Sequence, residues 1–97
     1  MRMIANFRVY DSITDQQAIP RLRKLAGEMV QRFMETGKVE SAGIVPGIRG
    51  GYVVLNADSA EQLMELVGDA HELFDVRFDP IVSFETLGEF FKSHPPV

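Results

Sequence analysis

A chain of 97 residues, 45% hydrophobic and 25% charged, with a mean hydropathy of −0.02, suits one soluble domain and is too apolar for disorder. No apolar run approaches the ~20 residues of a membrane helix, and the N-terminus lacks a signal-peptide core, so a cytoplasmic protein that uses no membrane is expected. The absence of cysteine excludes disulfides, thiolate metal sites and thiol catalysis, and a net charge of −4 disfavours nucleic acid.

The first segment, Arg2–Tyr10, alternates Met3, Ala5, Phe7 and Val9 with Arg2, Asn6, Arg8 and Tyr10; only Ile4 interrupts the polar set. A period of two predicts a strand with one buried face. Asp11–Asp15 follows as a polar turn rich in helix-capping side chains. From about Gln17 to Thr36 the period lengthens. Ile19, Leu22, Leu25, Ala26, Met29, Val30, Phe33 and Met34 recur at steps of three and four, which predicts a helix with one apolar stripe. Pro20 suits its first turn and Gly37 its end.

Val39–Val45 is a strand of modest propensity, weakened by Ser41, Ala42 and Gly43. The turn residues Pro46–Gly51 then lead into a strand at Tyr52–Ala57, which makes a hairpin. Asp58 and Glu61 resemble a capping box for a second helix whose apolar face carries Ala60, Leu63, Met64 and Val67, with Gly68 as its stop. Asp69–Leu73 is expected as a loop. Phe74–Ser83 alternates again, and a short helix at Glu85–Lys92 is anchored by Leu87, Phe90 and Phe91. The expected domain spans residues 1–92, with a tail at 93–97.

Right-handed crossovers place these elements in a ferredoxin-like βαββαβ arrangement of the α+β class, with an antiparallel sheet in the order 4-1-3-2. Pro80 fits, because proline is tolerated on an edge strand and the fourth strand is an edge in this order. Two helices can cover only one face of that sheet. The other face would carry Ile4, Asn6, Arg8, Tyr52, Val54, Asn56, Arg77, Asp79 and Ile81, a mixture of aliphatic and charged side chains. Such a face suits closure against its equivalent on a second copy, with a semi-polar cavity between the sheets. A homodimer through the sheet faces is therefore expected, with higher oligomers open.

The run GGYVVLNADSAEQLMELV followed by LFDVRFDPIVSF resembles the dimeric α/β-barrel superfamily, and within it the muconolactone isomerase-like proteins and other small proteins of unassigned function. The likeness covers roughly residues 1–92. It implies a dimeric barrel, and among its activities are cofactor-independent isomerisation, cofactor-free oxygenation and haem-based chemistry, alongside proteins without known catalysis. No acid–base residue of the isomerases is carried over to a numbered position here.

The residues supply several candidates. Arg8, Arg77 and Asp79 are expected on one face of neighbouring strands. Two guanidinium groups there could hold a carboxylate, with Asp79 moving a proton; the structural alternative is a cross-strand ion pair at the dimer seam. Tyr52 could donate to a ligand carbonyl or enolate oxygen, or simply form a cavity wall. Asn6 and Asn56 could assist as neutral donors or satisfy strand ends. Glu40 could act as a base if desolvated, against a plain reading as an edge charge. His71 suits acid–base work near neutral pH, whereas His94 falls in the proline-containing tail.

Two histidines 23 residues apart form no recognisable metal-ligand set, and no cofactor is expected. The Gly-rich Pro46–Gly51 segment joins strands instead of opening a helix, so it does not suit phosphate. One strand-face aromatic, Tyr52, is too little for RNA stacking. The leading expectation is a small homodimer that binds a small organic acid or lactone and isomerises it by proton transfer. Arg8, Arg77 and Asn6 would bind the ligand, Tyr52 would stabilise an oxyanion, and Asp79 or His71 would move the proton. The alternatives are a non-catalytic structural or ligand-sensing dimer and a cofactor-free oxygenase. Charge is also uneven: residues 1–55 carry eight Lys/Arg against five Asp/Glu (+3), and residues 56–97 carry two against nine (−7). Such polarity can steer self-association or an anionic small ligand toward one side, and it equally fits two solvated faces that differ by chance.

Overall fold

The structure, a computed structural model, describes residues 1–96; Val97, the last residue of the expected tail, lies outside the described residues. β1 (Arg2–Val9) pairs antiparallel with β3 (Gly50–Asn56) on one side and with β4 (Phe74–Pro80) on the other. β2 (Val39–Val45) pairs with the outer side of β3, which gives the order β2-β3-β1-β4. α1 (Ile19–Glu35) and α2 (Ala60–Val67) complete a ferredoxin-like βαββαβ fold, and α3 (Phe84–Ser93) follows it. The expected order 4-1-3-2 is the observed one, counted from the opposite edge. Among the described residues, no helix is long and apolar enough to cross a membrane.

Pleat and register decide which side chains meet. Met3, Ala5, Phe7 and Val9 of β1 are buried, and their strand partners include Leu55 and Val53 on β3 and Val76 and Phe74 on β4. Leu25, Met29 and Phe33 of α1 and Leu63, Leu66 and Val67 of α2 close over this face. Phe7 and Phe74 meet edge to face, with centroids 6.2 Å apart, the orientation favoured by the ring quadrupole. Pro80 is the last residue of β4, and β4 is an outer strand, so its missing N–H costs no inner ladder bond.

Several local expectations are revised. β1 ends at Val9, one residue before Tyr10. β4 stops three residues before Ser83, because Ser83 is already committed to capping α3, its Oγ accepting from Thr86 N at 3.1 Å. The helix expected from Gln17 begins as a 3-10 turn at Gln16–Ala18, capped by Asp15, and becomes α1 only at Ile19. Ser59, not Asp58, caps α2, accepting from Gln62 N at 3.1 Å. Asp58 is unavailable for that role because its carboxylate is held by Lys38. The expected loop at Asp69–Leu73 is mostly a 3-10 turn, Gly68–Glu72. Gly50 and Gly51 belong to β3 and are buried. A Cβ on Gly50 would lie 2.0 Å from the Phe7 carbonyl oxygen, so glycine is required there for strand approach, not for turn flexibility.

The C-terminus of α2 is closed by a guanidinium. Arg32 donates from Nε to the Leu66 carbonyl and from Nη2 to the Val67 carbonyl, both at 2.8 Å. These carbonyls lack intrahelical partners and carry the negative end of the helix dipole. Gly68 turns the chain with φ +54°, and a Cβ there would come within 2.8 Å of Arg32 Nη2. The left-handed backbone and the clamp thus both require glycine.

α3 stands apart from this body and buries none of its residues. The Cα radius of gyration is 16.2 Å and the longest axis 57 Å, against about 13 Å expected for the radius of a compact chain near 100 residues.

Two outcomes are expected. Gly68→Ala should lose about 2 kcal/mol in chemical denaturation, from backbone strain together with displacement of Arg32. The loss should be smaller in an Arg32→Ala background, where the clamp is already gone. The second concerns pH. The hydrogen bond and charge of Lys38 hold the Asp58 carboxyl below its ordinary value. Its folded pKa is depressed, so the contribution is present above the unfolded value of about 3.9 and is lost as pH falls through the folded value. In Lys38→Met, the Asp58 midpoint measured by NMR titration should return to the ordinary carboxylate range.

Candidate functional site

The face of the sheet opposite the helices carries no covering element among the described residues. Register places Ile4 opposite Val54 and Asp79, Asn6 opposite Tyr52 and Arg77, and Arg8 opposite Gly50 and Asp75. Arg8, Arg77 and Asp79 therefore share one face, as the alternation predicts. Ile4, Tyr52 and Val54 are half-buried within it, and Asn6, Arg8, Arg77 and Asp79 are exposed.

At one end of this face lies an open hollow of about 250 Å³, lined by Asn6, Phe7, Arg8, Ile48, Asp75 and Arg77. β1 and β4 supply the polar groups, and the turn between β2 and β3 supplies Ile48. That turn is a 3-10 segment, Pro46–Ile48, closed by Arg49 at φ +52°. Arg49 is anchored by its own side chain, Nη1 donating to the Ile13 carbonyl at 2.8 Å and Nη2 to the Tyr10 carbonyl at 3.1 Å. The left-handed residue thus ties the turn carrying Ile48 to the segment after β1.

Six of the seven arginines fall into two groups; the seventh, Arg23 on α1, is in no ion pair among the described residues. Arg2, Arg21, Arg32 and Arg49 are committed: Arg2 Nε lies 2.7 Å from Glu40, Arg21 pairs with Glu72, and the other two hold backbone carbonyls. Arg8 and Arg77 are held loosely. Arg8 Nη2 is 3.3 Å from Asp11, and Arg77 Nε is 3.3 Å from Asp75, longer than the 2.7–2.9 Å of a strong charge-assisted bond. Each keeps guanidinium N–H groups without a protein acceptor among the described residues. Two planar cations with spare donors beside a neutral amide form an arrangement suited to a carboxylate.

Other candidates lie elsewhere. Arg77 pairs with Asp75 and not with Asp79, although both carboxylates are two residues away on its own strand; Asp79 sits farther along the face, opposite Ile4. Tyr52 leans toward β2, over Gly43, where an added Cβ would lie 2.7 Å from its ring. Asn56 Oδ1 accepts from the Met1 amino nitrogen at 2.8 Å. Glu40 sits at a β2 bulge and pairs with Arg2, the edge-charge reading. His71 lies on the helix side of the sheet, its Nδ1 2.8 Å from the Gly68 carbonyl, beside an apolar hollow that includes Met64 and Phe78. His94 stacks on Phe90 in α3 with centroids 4.2 Å apart.

The hollow thus gathers Asn6, Arg8 and Arg77 and leaves Tyr52, Asp79 and His71 outside its lining. Two of its members, Asp75 and Ile48, were not singled out from the sequence. Asp75 shares the strand parity of Arg77 and Asp79, and that parity was the available signal. Ile48 sits in a turn, where no periodicity points a side chain.

Comparison with known proteins supports the fold. The chain is similar to a crystal structure of muconolactone isomerase, with a TM-score of 0.59 and 19% identity, covering 86% of this chain and 90% of that one. No curated protein matches it by sequence. A family model described as a domain of unknown function, DUF3303, matches residues 1–95. With nearly its whole length matched, the chain belongs to the DUF3303 family.

Proposed function

We propose that this chain acts as a homodimer closed through the uncovered sheet faces, and that the enclosed space binds a small organic acid. The observation that carries this reading is the hollow on that face, where Arg8 and Arg77 retain unused donors next to Asn6. The half-buried Ile4, Val54 and Tyr52 supply the apolar surface that a sheet-to-sheet contact needs. Closure removes water from the guanidinium groups and strengthens their attraction for an anion.

The finer reading is cofactor-independent isomerisation of the bound acid or lactone by proton transfer. The fold shared with muconolactone isomerase favours it. Asp75 is the carboxylate that lines the hollow and is the natural base there, 3.3 Å from Arg77. Tyr52 and Asp79 share the uncovered face and take part by way of the facing sheet of the second copy, Tyr52 as a donor to an enolate oxygen. His71, on the helix side, has no part in this chemistry. In the non-catalytic alternative the same hollow binds the acid as a signal, and Asp75→Asn leaves ligand affinity intact without any turnover to lose.

Sedimentation equilibrium should give a species larger than a monomer at micromolar concentration, and Val54→Glu should lower its mass by placing unpaired charges face to face and abolishing the sheet-to-sheet contact. In a thermal-shift and calorimetric screen of small carboxylates such as benzoate and succinate, at least one class should stabilise the fold. Arg8→Ala and Arg77→Ala should each weaken that ligand about tenfold or more, the loss of one charge-assisted contact. Binding that survives the double substitution would refute the anion anchor.

A further inference from the structure

α3 is a ten-residue amphipathic helix with nothing to be amphipathic against. Phe84, Leu87, Gly88 and Phe91 fall at steps of three, four and seven, one stripe along the helix. Phe84 is 92% exposed and Phe91 60%. Phe90, beside the stripe, is also exposed, and its ring meets those of Phe91 in the same helix and of His94 just after it. A monomer gains nothing from holding three phenyl rings in water.

A second apolar surface is open at the opposite edge of the sheet. On the helix side of β2, a hollow of about 230 Å³ is lined by residues that include Val30, Phe33 and Met34 of α1 and Ala42 and Ile44 of β2. Ile44 is 70% exposed and Met34 57%, so the apolar surface where α1 and β2 meet is left open. Along α1 the residues Arg23, Gly27, Val30 and Met34 form one exposed stripe leading to this hollow.

We propose that α3 is an exchange arm, seated along α1 of a second copy of this chain with its phenyl rings in the hollow beside β2. Three observations select this occupant and this acceptor. The first is access. β4, which carries α3, and β2 are the two outer strands, about 14 Å apart across three strand spacings. The link Ile81–Ser83 spans about 10 Å and the ten-residue helix adds about 15 Å, so the obstacle is not distance but the α1–α2 layer, which stands between on that side of the sheet. To enter the β2 hollow of its own chain the arm would have to pass around that layer.

Charge is the second. α3 carries Glu85 and Glu89 against Lys92. The hollow beside β4, the strand that carries α3, is bordered by Met64 of α2, which Glu61 and Glu65 flank, and by Asp75. The α1 stripe instead carries Arg23, with Lys24 beside it, and neither is in an ion pair among the described residues; Glu28 and Glu35 flank the stripe farther along, so the charge that favours the arm lies at its Arg23 end. The basic N-terminal half and acidic C-terminal half of the sequence are thus complementary between copies.

The third is the pair of glycines. Gly27 lies inside α1 and Gly88 inside α3; neither has a positive φ, and nothing lies within 4 Å of a Cβ built on either. A helix-interior glycine costs stability relative to alanine, and within one copy nothing offsets that cost. Each glycine sits in the stripe that the exchange brings together, where the missing side chain lets two helices approach closely. The area is sufficient as well. Three phenyl rings and a leucine at these exposures bury on the order of 500 Å². With a matching groove on each copy, a reciprocal exchange buries roughly 1,000 Å² per protomer, above the ~800 Å² typical of a stable complex.

The cysteine-free sequence allows a direct test. Full-length chains bearing Leu87→Cys and Ile44→Cys are mixed and oxidised, and covalent species are read on a non-reducing gel. The expected product is a disulfide-linked heterodimer at twice 10.9 kDa. Gly27→Gln, which fills open space with a good helix former and so leaves the fold intact, should reduce that product at least fivefold. A link from Leu87→Cys to Met64→Cys in place of Ile44→Cys would overturn the acceptor. A chain carrying both Leu87→Cys and Ile44→Cys that closes on itself at monomer mass would overturn the exchange, as would the absence of any link. This proposal does not rest on closure of the sheet faces. Val54→Glu disrupts that contact alone and should leave the cross-link in place, and Phe91→Glu should remove the cross-link while leaving the face contact.

Discussion

The pleat of β1 is the constraint on which the rest depends. It lies between β3 and β4, and its side chains alternate strictly between the two faces of the sheet. Met3, Ala5, Phe7 and Val9 go to the helices, and Ile4, Asn6 and Arg8 go to the other side. A one-residue slip in either ladder would exchange these sets, putting Arg8 into the core and Phe7 into water. The glycines of β3 protect against that slip, since only a residue without Cβ can lie against the Phe7 carbonyl at Gly50. The same alternation that builds the core therefore builds the uncovered face and sets two arginines on it.

Commitment of side chains separates cations with a task in the fold from cations without one. Arg32 closes the end of α2, Arg49 pins the turn between β2 and β3, and Lys38 and Arg2 each hold a carboxylate. Each of these cations has a local task in the fold. Arg8 and Arg77 have only long contacts to acids at the rim of the hollow, and they face the side of the sheet that the chain's own helices cannot cover. Exposed pairs of that length contribute little to stability, so the reason for two guanidinium groups there is sought in a ligand or a facing sheet.

Periodicity made the βαββαβ order legible, since β1, α1 and β4 each keep one period over at least seven residues. Pro80 added an independent vote for an edge strand. Other features depend on contacts that no period encodes. Asp58 looks like a cap until Lys38 takes its carboxylate, and Ser59 then fills the role. Tyr52 has the right parity for the hollow, yet the absence of a side chain at Gly43 lets its ring lean the other way. Asp75 shares the parity of Asp79, but parity alone does not say which of the two carboxylates lines the hollow. α3 shows the sharpest limit. Leu87, Phe90 and Phe91 read as anchors to a core, because an apolar stripe carries no mark of whether its acceptor belongs to the same chain or to another.

The uncovered face and the free arm are two apolar surfaces on one small chain, and both point to association with further copies. The proposed face-to-face closure is the more consequential, because it would turn an open hollow into an enclosed anion site. A mixed sample of isotopically labelled and unlabelled chains, examined for intermolecular nuclear Overhauser effects, tests it most directly. Contacts from the methyl groups of Ile4 and Val54 in one copy to Tyr52 and Val54 in the other are the expected result. A sample that is dimeric by sedimentation yet shows no such contacts on this face would contradict it.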